Sequence, residues 1–250
     1  MRREDLARYA PFVISIAIGV AAWEIVGRHT SAAFMAPFSE TVVRLWDLTR
    51  SGVLVQQTLS SATLFVTGLF FAVVVGVPLG LLMARVRVLR EALDIYVMIL
   101  YATPMVALIP FILSLMGFGF VPKALVVFLF AVFPILYNTI EGARSIKPEL
   151  IEVARSYRSR EWALWREVML PYTLPFVMTG FRQAIGRALV GMVAAEFFLS
   201  ATGLGQIIMT STQNFDTAAV FAAILVIVAA GLGLMRLGQA LERRFTPWRN

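Results

Sequence analysis

A helix crosses a bilayer in about 20 mostly apolar residues. Six tracts of the chain approach that length: about Ala10–Val26, Leu59–Met83, Ile95 to about Met116, Ala124–Ile140, about Tyr172–Phe198 and Ala218–Met235. The first is short and is interrupted late by Glu24. The second, third, fourth and sixth carry no charged residue, whereas the fifth holds Arg182, Arg187 and Glu196. Runs of this length predict spanning helices.

Two polar segments between the tracts keep a helical period. In Ser39–Thr49, the residues Val42, Leu45, Trp46 and Thr49 share one stripe. That pattern predicts a short amphipathic helix on the outer membrane surface or packed on the bundle. Ser39 is the expected N-cap, with Glu40 in the first turn.

The second segment is Ile146–Pro171. Pro148 can open a helix on which Leu150, Val153, Ala154 and Tyr157 recur at helical spacing. Arg158-Ser159 then reads as a turn, and Ser159 as the N-cap of a second short helix with Glu161 near its positive end. Trp162, Trp165 and Met169 form its apolar stripe, and Pro171 is expected to end it where the fifth tract begins. The result is either a compact cytoplasmic knob or a pair of interfacial helices resting on lipid headgroups.

Composition agrees with a membrane chain. Hydrophobic residues make up 59% and charged residues 15% of 250, against about 45–50% and 25% in soluble domains. Mean hydropathy is +0.80. Disorder is excluded, and a chain this size offers too little interior to bury so much apolar surface in water.

Net charge is +7. Sixteen of the 22 basic residues fall on one side of the six tracts: in the N-terminal segment, between tracts two and three, between four and five, and after six. Arg28, Arg44, Arg50 and Lys123 fall on the other side, and Arg182 and Arg187 within the membrane. The positive-inside rule therefore places both termini in the cytoplasm, in agreement with an even count of spans. Arg2-Arg3 would suit a signal peptide, but Glu4-Asp5 and the lack of a small-x-small cleavage site predict an uncleaved first span.

The candidate chemistry is sparse. With no cysteine and a single histidine, His29, the chain can build neither a disulfide nor a histidine cluster. Paired carboxylates and a Ser-His-Asp set are absent from the pattern. The aromatic residues are dispersed within the spans, giving no platform for nucleic acid.

The polar segment between tracts four and five carries a resemblance. Glu152-Val153-Ala154, three residues, Arg158, nine residues, then Val168-Met169-Leu170-Pro171 resembles the E-A-A-x3-G-x9-I-x-L-P motif of ABC-importer permeases. Val153 and Val168 are mild departures, while Arg158 replaces the usual glycine. Arginine in a left-handed turn costs about 1–2 kcal/mol, so either the bend differs or Arg158 gains a compensating contact. Further fragments resemble the nitrate/sulfonate/taurine group: Pro37-Phe38-Ser39, Gly76-Val77-Pro78-Leu79-Gly80, Phe133-Pro134-Ile135-Leu136-Tyr137-Asn138-Thr139, Gly203-Leu204-Gly205 and Phe215-Asp216-Thr217.

The resemblance implies an all-α membrane protein of six transmembrane helices with the type I ABC importer (MetI-like) permease fold. Its three implied segments are an N-terminal helix with outer-surface helix over 1–57, a core over 58–240 with coupling helices at about 146–171, and a cytoplasmic tail over 241–250. It implies a homodimer in a bacterial inner membrane. The partners would be cytoplasmic ABC ATPase subunits, a periplasmic or lipid-anchored substrate-binding protein, and membrane lipid. Glu152, Ala154, Arg158, Leu170 and Pro171 stand at the ATPase-coupling positions. ATP and Mg²⁺ would belong to the partner: no G-x-x-x-x-G-K-[ST] occurs, and Lys123 and Lys147 follow no glycine loop. The cargo would be a small anion such as an alkanesulfonate, taurine or nitrate, or else a vitamin precursor or aromatic carboxylate. The rival, an ion-gradient-driven secondary transporter, calls for intramembrane acids and internal repeats. Only Glu24 and Glu196 qualify as acids, and no repeat is visible.

A cation at mid-bilayer costs about 2.5–3.5 kcal/mol on insertion scales, so Arg182 and Arg187 should face water, protein or a partner. Five helical residues turn through about 140°, which puts them on different faces. Arg187, the deeper, could line an anion pathway, and Arg182 could snorkel to cytoplasmic headgroups. Alternatively both bond helix carbonyls or pair across a dimer. Glu196 is a candidate ion-pair or gate residue. Gly203 and Gly205 suggest an outer loop or gate, Gly76 and Gly80 close helix packing, and Pro104 and Pro110 kinks in the third span.

Overall fold

The computed structural model describes residues 3–199 and 202–245, and every regular element among them is helical. In chain order these are α1 (Arg3–His29), α2 (Phe38–Arg50), α3 (Val53–Arg85), α4 (Arg87–Ala102), a 3-10 turn (Met105–Leu108), α5 (Ile109–Met116), α6 (Phe120–Arg144), α7 (Pro148–Ser156), α8 (Glu161–Ala163), a π-helical turn (Leu164–Met169), α9 (Leu170–Leu199), α10 (Leu204–Gln213) and α11 (Thr217–Phe245). Residues 241–245 of the expected tail thus continue α11. Residues 246–250, with Arg249, lie outside the described residues, as does Arg2.

Four described helices are long and apolar enough to cross a membrane: Pro11–His29 of α1, and α3, α6 and α11. Exposed Phe12, Ile16 and Ile18 on α1 and Phe70, Phe71 and Val74 on α3 are side chains that lipid rather than water would cover. The third expected span is not one helix. α4 and the Met105–Met116 segment meet at 95°. Pro104 causes the break: it has no N–H, and it holds Thr103 in an extended conformation (φ −69°, ψ 133°). Pro110 does not kink anything, because it lies in the first turn of α5, where an N–H would have no partner. Counted together, the bent pair raises the number of candidate spans to five. α9, with its three charged residues, is not among them.

The described residues form two bodies. One joins the residues up to Ser60 to Thr202–Val228. Here Leu45 and Leu48 of α2 pack on buried Leu54, Leu204, Ile207 and Ala223, and Arg44 bonds Asp216 at 2.6 Å. The inward face of α2 is therefore set by Thr41, Leu45 and Leu48, while Val42 and Trp46 of the expected stripe are exposed. Ser39 is not the N-cap either. Its amide and hydroxyl both donate to the Glu24 carboxylate, each at 2.9 Å. An acid from the preceding helix thus takes up a donor of the first turn.

The other body runs from Ser61 and is completed from Ala229 onward. α6 packs along α9. Leu64, Leu69 and Ala72 of α3 join Val127, Ala131 and Ile135 of α6 and Ala184, Ala188 and Met192 of α9 in one core. Glycine permits the close approach. A Cβ on Gly80 would lie 2.8 Å from that of Thr139, and one on Gly180 would lie 2.9 Å from the Pro134 carbonyl oxygen. The packing role expected of Gly76 and Gly80 is observed, against Ile135 and Thr139. Lys123, expected in a connecting loop, is buried in the first turns of α6.

Candidate functional site

The Ile146–Pro171 segment is a hairpin. Pro148 opens α7 at its first position, with Lys147 as N-cap. At its other end the amide of Arg158 donates to the Arg155 carbonyl (2.8 Å) and that of Ser159 to the Ala154 carbonyl (3.1 Å). These are the two bonds of a Schellman cap, whose C′ residue must be left-handed. Arg158 occupies that position at φ 55°. The bend is therefore the one a glycine would make, built with arginine. Among the described residues no hydrogen bond or ion pair of the Arg158 side chain offsets its backbone cost.

The returning arm differs from the sequence expectation. Ser159 is not its N-cap; Arg160 is, without a side-chain bond. Nor does Pro171 end a separate helix, because helix continues unbroken from Glu161 to Leu199. Between Ala163 and Leu170 the winding widens to a π turn. Leu164 and Met169, five residues apart, are its buried side chains, whereas Trp162 is exposed. A π turn is a common local adjustment at functional positions. Here it precedes Pro171, whose ring would otherwise crowd the carbonyl one turn back.

The hairpin is tied to the bundle at its two ends and just past its bend, and much of its outer surface is exposed. Arg85, at the end of α3, bonds both carboxylate oxygens of Glu161 at 3.0 Å. The Tyr172 hydroxyl donates to the Ser145 carbonyl at 2.9 Å, and Ile146 is buried. Beyond these ties Tyr157 is 82% and Trp162 75% exposed, and Val153 and Leu170 are also exposed. A groove of about 590 Å³ runs between the arms, lined by Leu150, Ala154, Tyr157, Leu164, Val168 and Pro171 among others. Of the motif positions, Glu152, Arg158, Leu170 and Pro171 are exposed and Ala154 is half-buried.

The charged residues of α9 separate into three environments. Arg182 pairs with Glu242 of α11 at 3.2 Å. Glu196 is 1% exposed and accepts a 2.6 Å hydrogen bond from the Ser61 hydroxyl. Arg187 has no hydrogen bond or ion pair among the described residues and lines a cavity with Tyr101, Thr103, Pro104 and Phe133. Nothing in the sequence marks Ser61, Glu242 or Tyr101: each is an ordinary residue of an apolar or polar run, and only the fold gives it a partner.

Gly203 lies in the bend before α10, and Gly205 in the helix itself. Gly203 is the N-cap of α10 at φ 106°, its amide donating to Gln57 at 2.6 Å, and Gly205 is buried in the first turn of that helix. Among the described residues no group of three or more His, Cys, Asp or Glu side chains could hold a metal.

Residues 76–247 match the family described as binding-protein-dependent transport system inner membrane component. The chain belongs to that family. It is 35% identical over 217 residues to the riboflavin transport system permease protein RibX of Chloroflexus aurantiacus, covering 86% of this permease and 81% of RibX. With the taurine transport system permease protein TauC of Escherichia coli it shares 33% over 195 residues, covering 77% of this permease and 70% of TauC. Its fold is that of a chain of the inward-facing MetNI methionine ABC transporter, with a TM-score of 0.65, 21% identity, and coverage of 77% of this permease and 96% of that chain. The permease is thus a type I ABC importer component, and ATP hydrolysis falls to a separate ATPase. Its relatives carry different solutes, so family membership leaves the cargo open.

Proposed function

We propose that two copies of this permease pair in a bacterial inner membrane and form the path of a small anion bearing a sulfonate, carboxylate or nitrate-like group. Each copy makes six crossings with both termini in the cytoplasm: α1, α3, the bent α4–α5 pair, α6, α9 and α11. The distribution of basic residues supports this orientation. The segments 1–57, 58–240 and 241–250 act as outer support, translocation core and cytoplasmic tail. A periplasmic or lipid-anchored binding protein delivers the solute, lipid surrounds the exposed apolar faces, and ATP with Mg²⁺ stays on the partner ATPase.

The observation that carries the reading is the hairpin: tied down through Tyr172–Ser145 at its ends and Arg85–Glu161 just past its bend, with Val153, Tyr157, Trp162 and Leu170 exposed on it. Such a knob would transmit the closure of a gripping ATPase into α6 and α9, which pack along each other. Glu152, Ala154, Arg158, Leu170 and Pro171 form the gripped surface. On α9, Arg182 and Glu196 hold the helix through Glu242 and Ser61, which leaves Arg187 to meet the anion. Gly203 and Gly205 shape the outer gate.

The test is uptake by proteoliposomes containing the permease, its ATPase and its binding protein. ATP-driven accumulation is expected, and Glu152→Lys should keep ATP hydrolysis while losing transport. Uptake by the permease alone on an ion gradient, or coupled transport unchanged in Glu152→Lys, would overturn the reading.

A further inference from the structure

Where an anion would pause rests on the reading of the permease as an anion path. The 95° break between α4 and the following segment leaves a cavity of about 320 Å³ in its elbow. That is the lower end of the range for small-molecule sites, about 300–1,000 Å³. Tyr101, Thr103, Pro104 and Met105 supply the elbow side, Phe133 of α6 the floor, and Arg187 of α9 the only charge.

The electrostatics are one-sided. Arg28, Arg44, Arg85, Arg87, Arg144 and Arg182 each have a carboxylate partner. Arg187 has none among the described residues, although it sits midway along α9, which the proposed six crossings put in the membrane, where an unmatched cation is costly. No Asp or Glu lines its cavity. Asp94 and Glu141 line a separate cavity of about 330 Å³ together with Arg144. Tyr101 and Tyr137, stacked at 5.9 Å and 13°, stand at the border: Tyr101 lines both cavities, Tyr137 the second.

We propose that the elbow cavity is a solute subsite within the permease. It holds one sulfonate or carboxylate group on Arg187, with an apolar body against Tyr101, Phe133 and Met105, and prefers monoanions to zwitterions. A guanidinium meets a sulfonate or carboxylate by two parallel N–H···O bonds. An alkyl or aromatic body replaces water on the tyrosine and phenylalanine faces. An ammonium group in the same molecule would enter a cavity that holds no carboxylate and already holds a cation, so it is disfavoured by both desolvation and repulsion.

The experiment is calorimetric titration of the full-length permease in lipid nanodiscs at low salt with 1-butanesulfonate and, separately, taurine. Saturable binding of butanesulfonate is expected, with taurine weaker by about tenfold or more. Losing a charge-assisted hydrogen bond costs about tenfold in affinity, so Arg187→Gln should bind at least that much more weakly. Arg187→Lys, which keeps the charge and guards against a folding artefact, should fall between. Tyr101→Ala should weaken binding several-fold, and Arg50→Gln, an equal charge change at an exposed position of α2, should not. Wild-type affinity in Arg187→Gln, equal affinity for taurine, or no binding to the wild type would overturn the subsite. So would a change of oligomeric state in Arg187→Gln with binding intact, since Arg187 would then be an inter-copy contact. If binding fails while ATP-driven anion uptake by the assembled importer persists, only the subsite is wrong. If that uptake itself is absent, the underlying reading fails.

Discussion

The amide of Ser159 donates to the carbonyl of Ala154 at 3.1 Å, across a turn in which Arg158 stands at φ 55°. Left-handed backbone costs a non-glycine residue about 1–2 kcal/mol, and glycine escapes most of that cost while losing more chain entropy on folding. Arg158→Gly should therefore stabilise the hairpin by about 1 kcal/mol, slowing hydrogen exchange at the Arg158 and Ser159 amides about fivefold. Arg158→Val should destabilise it, because a β-branched side chain fits that region worst. Faster exchange in the glycine variant would mean that the arginine side chain contributes more than its backbone costs.

Glu24 and Ser39 make a second local prediction. One carboxylate accepts from the Ser39 amide, the Ser39 hydroxyl and, at 2.6 Å, the Arg28 Nε. Glu24→Ala removes the acceptor at the start of α2 and should cost about 1 kcal/mol, the usual worth of an N-terminal cap. Ser39→Ala removes only the hydroxyl bond and should cost less. Amide exchange over Ser39–Thr41 should quicken more in Glu24→Ala than in Ser39→Ala, and equal rates in both would remove Glu24 from the capping role.

These two sites mark where sequence stopped being legible. Long apolar runs specify helices by burial alone, so α3, α6 and α11 could be read directly. The spacing from Glu152 to Pro171 located the hairpin, and Pro148 its first residue. What failed were assignments depending on non-local partners. Ser39 has the right chemistry to cap α2, but the helix begins one residue earlier, and both the amide and the hydroxyl of Ser39 donate to Glu24, 15 residues back. Pro171 looks like a terminator, yet a π turn absorbs it. Pro104 and Pro110 look alike in sequence; one breaks the chain by 95° and the other begins a helix. The contrast between Arg182 and Arg187 lay equally out of reach, since it depends on where Glu242 of α11 falls.

Gly180 tests the closeness of α6 and α9. A Cβ there would lie 2.9 Å from the Pro134 carbonyl oxygen and 3.0 Å from the Asn138 Cβ. The obstacle is backbone, which cannot swing aside as a side-chain tip can. Gly180→Ala should destabilise the protein by about 1–3 kcal/mol, the usual cost of overpacking, read as a lower midpoint in denaturant-induced unfolding in bicelles. Gly19→Ala on α1, where the added methyl meets nothing within 4 Å, should leave the midpoint unchanged or raise it slightly. Equal midpoints for the two variants would show that the helices can separate at no cost.

Thr173 carries the last prediction. Its side chain is buried and its hydroxyl has no hydrogen-bond partner among the described residues. Helical threonines normally donate to the carbonyl four residues back, as Thr139 does to Ile135 at 2.7 Å and Thr179 to Pro175 at 3.0 Å. For Thr173 that carbonyl belongs to Met169, the final residue of the π turn, where the winding shifts the carbonyls away from α-helical positions. A buried hydroxyl left unsatisfied costs about 1–3 kcal/mol, and an apolar replacement of the same shape removes that cost. Thr173→Val should thus be neutral or stabilising by about 1 kcal/mol in the same unfolding assay, whereas Thr139→Val, which deletes a made bond, should destabilise. A loss of stability in Thr173→Val equal to that in Thr139→Val would show that the Thr173 hydroxyl is bonded after all, and that the turn before Pro171 closes as an ordinary α-helix.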